Sequence, residues 1–377
     1  MKRPIILHVV ATLDRGGTEV SCLALAGELA RRGYGNRVVA LRRGAGEISE
    51  ALAAVAGEPA VLPAGRLARA VAFQKLVRRL APDAVILHIF NSEHVTLGLA
   101  ARAAGVNRLA AKLGNPVPDR PSVRRKLAAI LRLTKLTGVR IVSASRWIES
   151  SLRDTGRLPS SAVVVHNGCN VETIALRAGA ARTARDGREA VIGMVARLDP
   201  IKDHTTLLAA FAKLPEVVNG RPTRLILVGD GPLRKTLEAE AARLGIAGRA
   251  TFTGARTDVP EALGQFDVFA LSTTRDEGFG VVLIEAMSAG TPVVASDVPA
   301  CQEVLQGGNL GRLVPQGDAD ALATALSEAL DAPADVPPLT EVSRRYSVAT
   351  MADGYLEVLF GHGPAHSEVD RRAVPTS

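Results

Sequence analysis

Short runs of apolar residues alternate along this chain with longer segments of helical spacing, and this alternation constrains the fold more than any other feature. The apolar runs have the length of buried β-strands, and the intervening segments place apolar residues three or four positions apart, as amphipathic helices do. Parallel strands need a crossover connection, which a helix supplies. The sequence therefore predicts an α/β protein with parallel sheets.

The predicted strands form two series. The first covers residues 5–10, 37–41, 84–88, 108–112, 140–142 and 163–165, and the second covers 192–196, 224–228, 250–252, 268–271 and 292–295. Residues 178–187, rich in Ala, Gly, Arg and Thr, predict a linker. We expect two doubly wound, Rossmann-like domains at 1–180 and 188–345, a last helix at 346–360, and a tail at 361–377 with the composition of a disordered end.

Charge differs between the two halves of the chain. Up to Arg185 there are 29 Lys and Arg against 12 Asp and Glu, and the remainder has 17 against 26. This asymmetry indicates an anionic surface or polymer in contact with the first half, with a solvated basic face as the alternative. Aromatic residues make up 3 % of the chain, which leaves no stacking platform for a nucleic acid partner.

Cysteine usage and hydropathy favour the cytoplasm. Cys22, Cys169 and Cys301 lie far apart, so neither a disulfide framework nor a zinc ribbon is indicated. Asp14 and Arg15 follow the apolar start of the chain without a small-residue cleavage site, which favours a buried strand over a signal peptide. No apolar run approaches the roughly 18 residues that a membrane span requires.

Two glutamates mark the most informative segment, residues 274–294. Glu277 lies in a predicted loop, Glu285 lies in the short helix that follows, and a strand is entered through Pro292. Glycines between the glutamates allow a ligand to approach the backbone closely. The two carboxylates can converge on the helix N-terminus, whose unpaired N–H groups suit a phosphate or a polyhydroxyl ligand.

A basic pair precedes this segment. Arg197 follows a predicted strand, and Lys202 lies five residues later, where the next helix begins. A guanidinium supplies planar, directional hydrogen bonds and an ammonium supplies a compact charge, so the pair suits a diphosphate. A surface Arg and Lys on an ordinary loop is the alternative.

The two segments resemble the E-x7-E element and the G-x-L-x-x-x-K-G region of the retaining nucleotide-sugar glycosyltransferases of family 4, which have the two-domain GT-B fold. Asp203 stands where that family usually has glycine. The resemblance implies that Glu285 binds the ribose and that Glu277 reaches the donor sugar. It also implies that the backbone at Gly278, Phe279 and Gly280 lines that sugar and that Gly254 helps to frame the nucleobase.

A nucleoside diphosphate departs as a stabilised anion, so positive charge rather than a general acid is needed at the leaving group. By the resemblance, Arg197 and Lys202 supply that charge and are catalytic together with Glu277. No D-x-D triad is placed to hold a metal ion, and we expect neither a metal nor a cofactor beyond the nucleotide-sugar donor.

The first domain resembles the family more loosely. His88 ends a predicted strand at the second histidine of the family's P-D-V-V-H-x-H, which implies a catalytic place near the donor sugar and the acceptor. Gly16 and Gly17 resemble the loop whose backbone contacts the diphosphate or the sugar. We expect the acceptor on this side, near Asn91, Lys112 and Asn115. The alternative for His88 is a structural role.

The resemblance implies transfer of a sugar to a hydroxyl of a lipid-linked or polysaccharide acceptor in cell-envelope glycan synthesis. A nucleotide-sugar epimerase of the same fold and a non-catalytic polyanion-binding protein are the alternatives. The segment Gly229-Asp230-Gly231 lacks the third glycine of a dinucleotide fingerprint, which argues against a nicotinamide enzyme.

A basic amphipathic segment lies in the acceptor-side half. Its cations are interspersed with leucines and isoleucine, as in helices that lie on an anionic membrane. The cations are Arg120, Arg124, Arg125, Lys126, Arg132 and Lys135. We therefore expect peripheral contact with the inner face of the cell membrane, with ordinary helix packing and a solvated face as the alternative.

Overall fold

Two parallel β-sheets flanked by helices account for the alternation in the sequence. The computed structural model describes residues 3–155, 162–332 and 336–361. The strands of the first sheet are β1 Ile5–Val10, β2 Gly35–Ala40, β3 Ala60–Val61, β4 Ala84–Leu87, β5 Leu109–Leu113, β6 Arg140–Ser143 and β7 Val163–Val164. Those of the second sheet are β8 Ala190–Val195, β9 Val217–Val218, β10 Arg221–Val228, β11 Ala250–Gly254, β12 Val268–Leu271, β13 Val293–Ser296 and β14 Arg312–Val314.

Helices connect the strands and cover both faces of the sheets. They are α1 Gly17–Arg31, α2 Ser49–Ala56, α3 Arg66–Leu80, α4 Ser92–Ala103, α5 Pro121–Thr137, α6 Arg146–Arg153, α7 Val171–Ala184, α8 His204–Ala212, α9 Arg234–Arg243, α10 Val259–Gly264, α11 Val281–Ser288, α12 Pro299–Val304, α13 Ala319–Asp331, α14 Leu339–Tyr346 and α15 Val348–Phe360. Among the described residues, no helix combines the length and the apolar character that a bilayer-spanning segment requires.

Both sheets are doubly wound. Their strand orders are β3-β2-β1-β4-β5-β6-β7 and β11-β10-β8-β12-β13-β14, and β9 pairs with β10 in an antiparallel manner. The central strands are buried on both faces, which explains their continuous apolar runs. The prediction of two Rossmann-like domains is confirmed, and strand order reverses beside β1 and beside β8. Loops at such switch points form the crevice in which α/β proteins bind ligands.

The last helix packs on the first sheet. Tyr355 and Met351 of α15 are buried together with Leu25 and Leu29 of α1. The helix begins at Val348 and not at residue 346, because Ser347 is extended and its side chain accepts a hydrogen bond from the Thr350 N–H at 3.1 Å. The chain therefore turns sharply between α14 and α15.

The linker predicted at 178–187 is helical over most of its length, because α7 continues to Ala184. Alanine and arginine have high helix propensity, and an exposed helix needs little apolar periodicity. The tail predicted to be disordered lies, from residue 362 onward, outside the described residues.

Candidate active site

The loops after β1, β4, β8 and β12 gather most of the predicted site residues at the carboxyl edges of the two sheets. The first domain contributes Gly16, Gly17, His88 and Asn91, and the second contributes Arg197, Lys202, Glu277, Gly278, Phe279 and Gly280. The two edges face each other. The Ser145 hydroxyl of the first domain donates to the Gly278 carbonyl of the second at 2.8 Å.

Lys202 and Glu277 form an ion pair between the loop after β8 and the loop after β12. The Thr273 hydroxyl also donates to Glu277 Oε2 at 3.3 Å, and the Gly278 N–H donates to Oε1 at 3.2 Å. Burial alone raises the pKa of the Glu277 carboxyl, but the Lys202 ammonium and hydrogen bonds from the Thr273 hydroxyl and the Phe279 backbone bring the pKa below its ordinary value. Glu277 is therefore a buried, ionised carboxylate that can accept hydrogen bonds from hydroxyl groups.

Arg197 differs from Lys202 in its surroundings. Its side chain is 73 % exposed, and its nearest carboxylate is Asp199, at 3.9 Å. Most of its hydrogen-bond donors are therefore available to an incoming anion. The structure brings Arg197 and Lys202 to the same loop. Arg197 is largely exposed, whereas Lys202 is held in the ion pair with Glu277.

Glu285 lies on α11, one turn from its start. Gly280 caps this helix in the left-handed region, with a φ of 80°, and supplies no side-chain cap. The first N–H groups of α11 therefore lack a side-chain partner at the cap position. Burial raises the pKa of the Glu285 carboxyl to about 7, although the Arg15 guanidinium of the first domain opposes the shift. Arg15 thus acts on Glu285 across the cleft.

Phe279 is anchored by its side chain. The ring is buried and stacks on the His166 ring, with the ring centroids 5.3 Å apart. This packing positions the loop between Glu277 and α11, and the lining of the donor sugar by the backbone of this loop stays a prediction.

Glycines allow two loops of the second domain to pack closely against each other. A Cβ on Gly229 would overlap the Ala196 carbonyl, and one on Gly231 would overlap the Leu198 carbonyl. The Leu198 N–H donates to the Asp230 carbonyl at 3.0 Å. These glycines serve the close approach of two loops, which accounts for their presence without a dinucleotide fingerprint. Gly254 ends β11 beside them, and its carbonyl accepts from the Gly229 N–H at 2.9 Å.

A cavity of about 420 Å³ opens in the first domain. His88 and Glu19 line this cavity. The three residues predicted for the acceptor side, Asn91, Lys112 and Asn115, line it as well. Asn91 also caps α4 by accepting from the Glu93 N–H at 2.8 Å. Sequence reasoning did not single out Glu19, although it lies two residues after the glycine pair that begins α1.

Lys112 is a buried ammonium at the base of this cavity. It is 3 % exposed, and its Nζ donates to the Ser21 hydroxyl at 2.8 Å. Burial lowers the pKa of Lys112 to about 8, although Cys22 and Glu19 oppose the shift. Glu19 is also buried, and its pKa is raised by that burial. The cavity therefore presents a donor and an acceptor close together, as a polyhydroxyl ligand requires.

His88 is buried between the cavity and the first sheet. Its Nε2 lies 3.1 Å from Nδ1 of His8, and its own Nδ1 has no hydrogen-bond partner among the described residues. Burial lowers the pKa of His88 well below its usual range, and the nearby His8 and Lys112 lower it further. His88 is therefore neutral at physiological pH.

Glu303 connects the domains and was missed by sequence reasoning. Its carboxylate accepts from the N–H groups of Arg146, at 2.7 Å, and Trp147, at 3.0 Å, which begin α6 in the first domain. It also lies 2.7 Å from Nε2 of His166. Only the tertiary structure shows that this carboxylate caps a helix of the other domain.

The comparisons with known proteins concern the family and the fold. Residues 15–173 match the family described as Glycosyltransferase Family 4, and residues 180–346 match the family described as Glycosyl transferases group 1. A structure of Anabaena Alr3699/HepE in complex with UDP-glucose matches with a TM-score of 0.80 at 22 % identity, covering 95 % of this chain and all of that one. This likeness concerns the fold, which is GT-B.

Among curated relatives, the phosphatidyl-myo-inositol mannosyltransferase of Mycobacterium tuberculosis (strain CDC 1551 / Oshkosh) is 36 % identical over 213 residues, covering 53 % of this chain and 54 % of the relative. The lipopolysaccharide core biosynthesis glycosyltransferase LpsE of Rhizobium meliloti (strain 1021) is 32 % identical over 177 residues, covering 45 % and 49 %. The chain thus aligns with about half the length of these relatives.

Proposed function

Because the chain belongs to glycosyltransferase family 4 of the group 1 glycosyl transferases, we propose that it transfers a sugar from a nucleoside-diphosphate donor to a hydroxyl of a lipid-linked or polysaccharide acceptor in the cell envelope. The observation that carries the proposal is the arrangement across the cleft. Lys202, Glu277 and Glu285 lie at the edge of the second sheet, opposite the cavity that contains His88 and Lys112.

In this proposal the second domain binds the nucleotide-sugar donor. Arg197 and Lys202 bind the diphosphate and stabilise the negative charge that develops as the bond to the sugar breaks. The Lys202 ammonium has three donors, so it can keep Glu277 and bind a phosphate oxygen at once. Glu277 then accepts from hydroxyls of the donor sugar, and Glu285 accepts from the ribose. Retention of the anomeric configuration and independence from metal ions belong to the same proposal.

The acceptor fits the cavity of the first domain. Lys112 can donate to a hydroxyl oxygen, while Glu19 and the free Nδ1 of His88 can accept from hydroxyl hydrogens. The relatives are named for transfer to phosphatidyl-myo-inositol and for lipopolysaccharide core biosynthesis. These names support an acceptor with a polyhydroxyl head group, and they lend no support to the epimerase or the polyanion-binding alternative.

We also propose that one face of the first domain docks on anionic membrane. Helices α3, α4 and α5 lie side by side and expose a set of apolar side chains, Leu67, Val71, Leu99, Leu133 and Leu136. Exposed cations surround them, namely Arg66, Lys75, Arg78, Arg79, Arg102, Arg125, Lys126, Arg132 and Lys135. Each cation near an anionic surface contributes roughly 1 kcal/mol. We call this surface the α3–α5 face.

Donor turnover tests the proposed activity. Purified protein is incubated with UDP-glucose or GDP-mannose and with membrane lipid extract, and product and released nucleotide are measured with and without excess EDTA. We expect a glycosylated lipid or glycan whose anomeric configuration matches that of the donor, formed at an unchanged rate in EDTA. Isomerised or free sugar without any acceptor product would favour the epimerase, and activity restored only by Mg²⁺ or Mn²⁺ would assign the diphosphate to a metal ion.

Vesicle sedimentation tests the α3–α5 face. We expect the protein to bind anionic vesicles and not neutral ones, with weaker binding at high salt because exposed charges are screened beyond about 10 Å at 0.1 M. Replacing Leu133 and Leu136 with serine, or Arg132 and Lys135 with glutamine, should reduce binding. Leu176→Ser is the matched control, because Leu176 is 76 % exposed but lies on α7. Equal binding by all variants would leave the face as a solvated surface.

A further inference from the structure

Two buried side chains, Asn36 and His8, connect helix α1 to His88 through a continuous chain of hydrogen bonds. The Asn36 side-chain Nδ2, from β2, donates to the Ala26 carbonyl of α1 at 3.0 Å. His8 Nε2, from β1, lies 3.0 Å from Asn36 Oδ1, and His8 Nδ1 lies 3.1 Å from His88 Nε2. The two imidazole rings are inclined by 17°. Asn36, His8 and His88 thus lie on, or directly after, the neighbouring strands β2, β1 and β4.

The direction of every hydrogen bond in this chain follows from its first member. Ala26 offers a carbonyl oxygen, which only accepts, so the Asn36 nitrogen must face it and the Asn36 oxygen must face His8. His8 is neutral, because burial lowers its pKa to about 4, and its Nε2 carries the proton that is donated to Asn36. His8 Nδ1 is then an acceptor, and His88 Nε2 must carry the proton donated to it.

The other ring nitrogen of His88 is consequently a lone-pair acceptor. His88 lines the cavity of the first domain, and its Nδ1, which is buried from solvent, has no partner among the described residues. We propose that His8 and Asn36 are positioning residues that hold His88 in the Nε2–H tautomer, so that Nδ1 accepts a hydrogen bond from a hydroxyl of the sugar or the acceptor. The hydrogen bond from a substrate hydroxyl to Nδ1 rests on the proposed function, whereas the assignment of the His88 tautomer does not.

A metal site at the same place would require the opposite tautomer. His8, Cys22 and His88 bring possible ligand atoms within 4.8 Å of one another. To bind a cation together with His8 Nδ1, His88 would have to give up its Nε2 proton. The buried ammonium of Lys112 acts electrostatically on both Cys22 and His88 and opposes a second positive charge. The two arrangements are therefore distinguishable by where His88 carries its proton.

Nitrogen NMR of protein with ¹⁵N-labelled histidines measures the tautomer directly. The chain has seven histidines, and loss of signals in His88→Gln identifies those of His88. We expect the Nε2–H pattern, with Nδ1 resonating as an unprotonated nitrogen. His8→Phe should remove this preference and give mixed or Nδ1–H signals. His8→Gln should preserve it, because the glutamine amide can donate to Asn36 and accept from His88.

Kinetics with UDP-glucose and GDP-mannose add a readout that a general loss of stability does not reproduce. His8→Phe should lower kcat about tenfold, which corresponds to about 1.4 kcal/mol, with little change in KM for the nucleotide sugar. His8→Gln should recover most of the rate. The control is His94→Gln, because His94 is also buried and has its own partner, Thr134, at 2.8 Å. That variant should leave the His88 signals unchanged.

Three results would overturn the inference. They are an Nδ1–H or doubly protonated His88 in the parent protein, an unaltered His88 tautomer in His8→Phe, and stoichiometric zinc in the purified protein by elemental analysis. Absence of any sugar transfer would contradict the proposed function, while the NMR result would still decide the tautomer.

Discussion

At the scale of single residues, the two cations predicted to bind the diphosphate lie in different surroundings. Lys202 is paired with Glu277 in a partly buried site, whereas Arg197 extends into solvent. Removing one partner of a buried ion pair leaves an unpaired charge in a region that water reaches poorly. An exposed arginine carries no such penalty, so substitutions at these positions separate binding from stability.

We predict that Arg197→Ala leaves the free energy of unfolding within about 0.5 kcal/mol of the parent value but weakens UDP or GDP binding about tenfold to a hundredfold, as expected for loss of one charge-assisted hydrogen bond. Lys202→Met should weaken binding and also destabilise the protein by up to about 3 kcal/mol. Calorimetry and denaturant unfolding measure the two effects. The double variant Lys202→Met/Glu277→Gln should regain stability but not binding. Parental affinity in Arg197→Ala would contradict this assignment.

Glu285 predicts a pH dependence of stability. Its folded-state pKa, about 7, is raised above the ordinary value of 4.5, so the unfolded chain loses this proton more readily than the folded chain. The stabilisation that the protonated group provides is complete below about pH 4.5 and is lost as the pH rises through about 7. In Glu285→Gln we expect a gain in melting temperature over the parent that is larger at pH 8 than at pH 5. Glu238→Gln, at an exposed carboxylate of α9, is the control, and an equal gain at both pH values would rule out the shift.

At the scale of elements, the linker helix α7 is attached to the second domain by a close backbone contact. Gly264, the last residue of α10, lies against the backbone of Ala178, where a Cβ would overlap the Ala178 carbonyl. The Arg182 guanidinium, also on α7, donates to the Ala289 carbonyl at 2.8 Å. The connection between the domains is therefore a packed helix over most of its length.

A matched pair of glycine substitutions tests this contact. Gly264→Ala should destabilise the protein by about 1–3 kcal/mol, because the added methyl group forces α7 away from α10. Gly179→Ala, in α7, has no atom within 4 Å of the new Cβ and should stabilise the protein by about 0.5–1 kcal/mol. Denaturant unfolding gives both values. Equal effects of the two substitutions would mean that the helix contact does not constrain the linker.

At the scale of the whole molecule, the cleft is bridged by a small set of polar contacts. Glu303 of the second domain accepts from the first N–H groups of α6, where the helix dipole favours a negative charge. Beside it, the Trp147 indole N–H donates to the Arg275 carbonyl at 3.3 Å, and the Arg275 guanidinium lies 5.6 Å from the Trp147 ring centroid. The single tryptophan of the chain thus lies at the interface between the domains.

We predict that Glu303→Gln weakens this bridge and shifts Trp147 emission to longer wavelength, because the ring gains contact with water. The rate of sugar transfer should fall severalfold while affinity for nucleoside diphosphate stays nearly unchanged, since the side chains proposed to bind the nucleotide, Arg197, Lys202 and Glu285, lie in the second domain. Asp297→Asn is the control, because Asp297 bonds to Gln302 within its own domain at 2.7 Å. Identical emission from both variants and the parent would show that Glu303 does not hold the domains together.

Local sequence patterns predicted the regular elements well. The strands at Ile5–Val10 and Val268–Leu271 have the predicted bounds. The short strands β3 and β14 were not predicted, because two or three residues show too little periodicity. The break at Ser347 was also missed, since the apolar pattern continues across it.

The sequence alone determined the doubly wound fold and the two domains, because apolar periodicity and glycine turns act within one or two elements. The resemblance to a family likewise came from short motifs, such as the one that contains Glu277 and Glu285. Tertiary structure alone decided which distant groups meet. It placed Glu303 on α6, paired Lys202 with Glu277, and joined Asn36 and His8 to His88. Hydrogen bonds and buried charges act over a few ångströms in space, and positions far apart along the chain reach that distance only when the sheets are formed and the domains face each other.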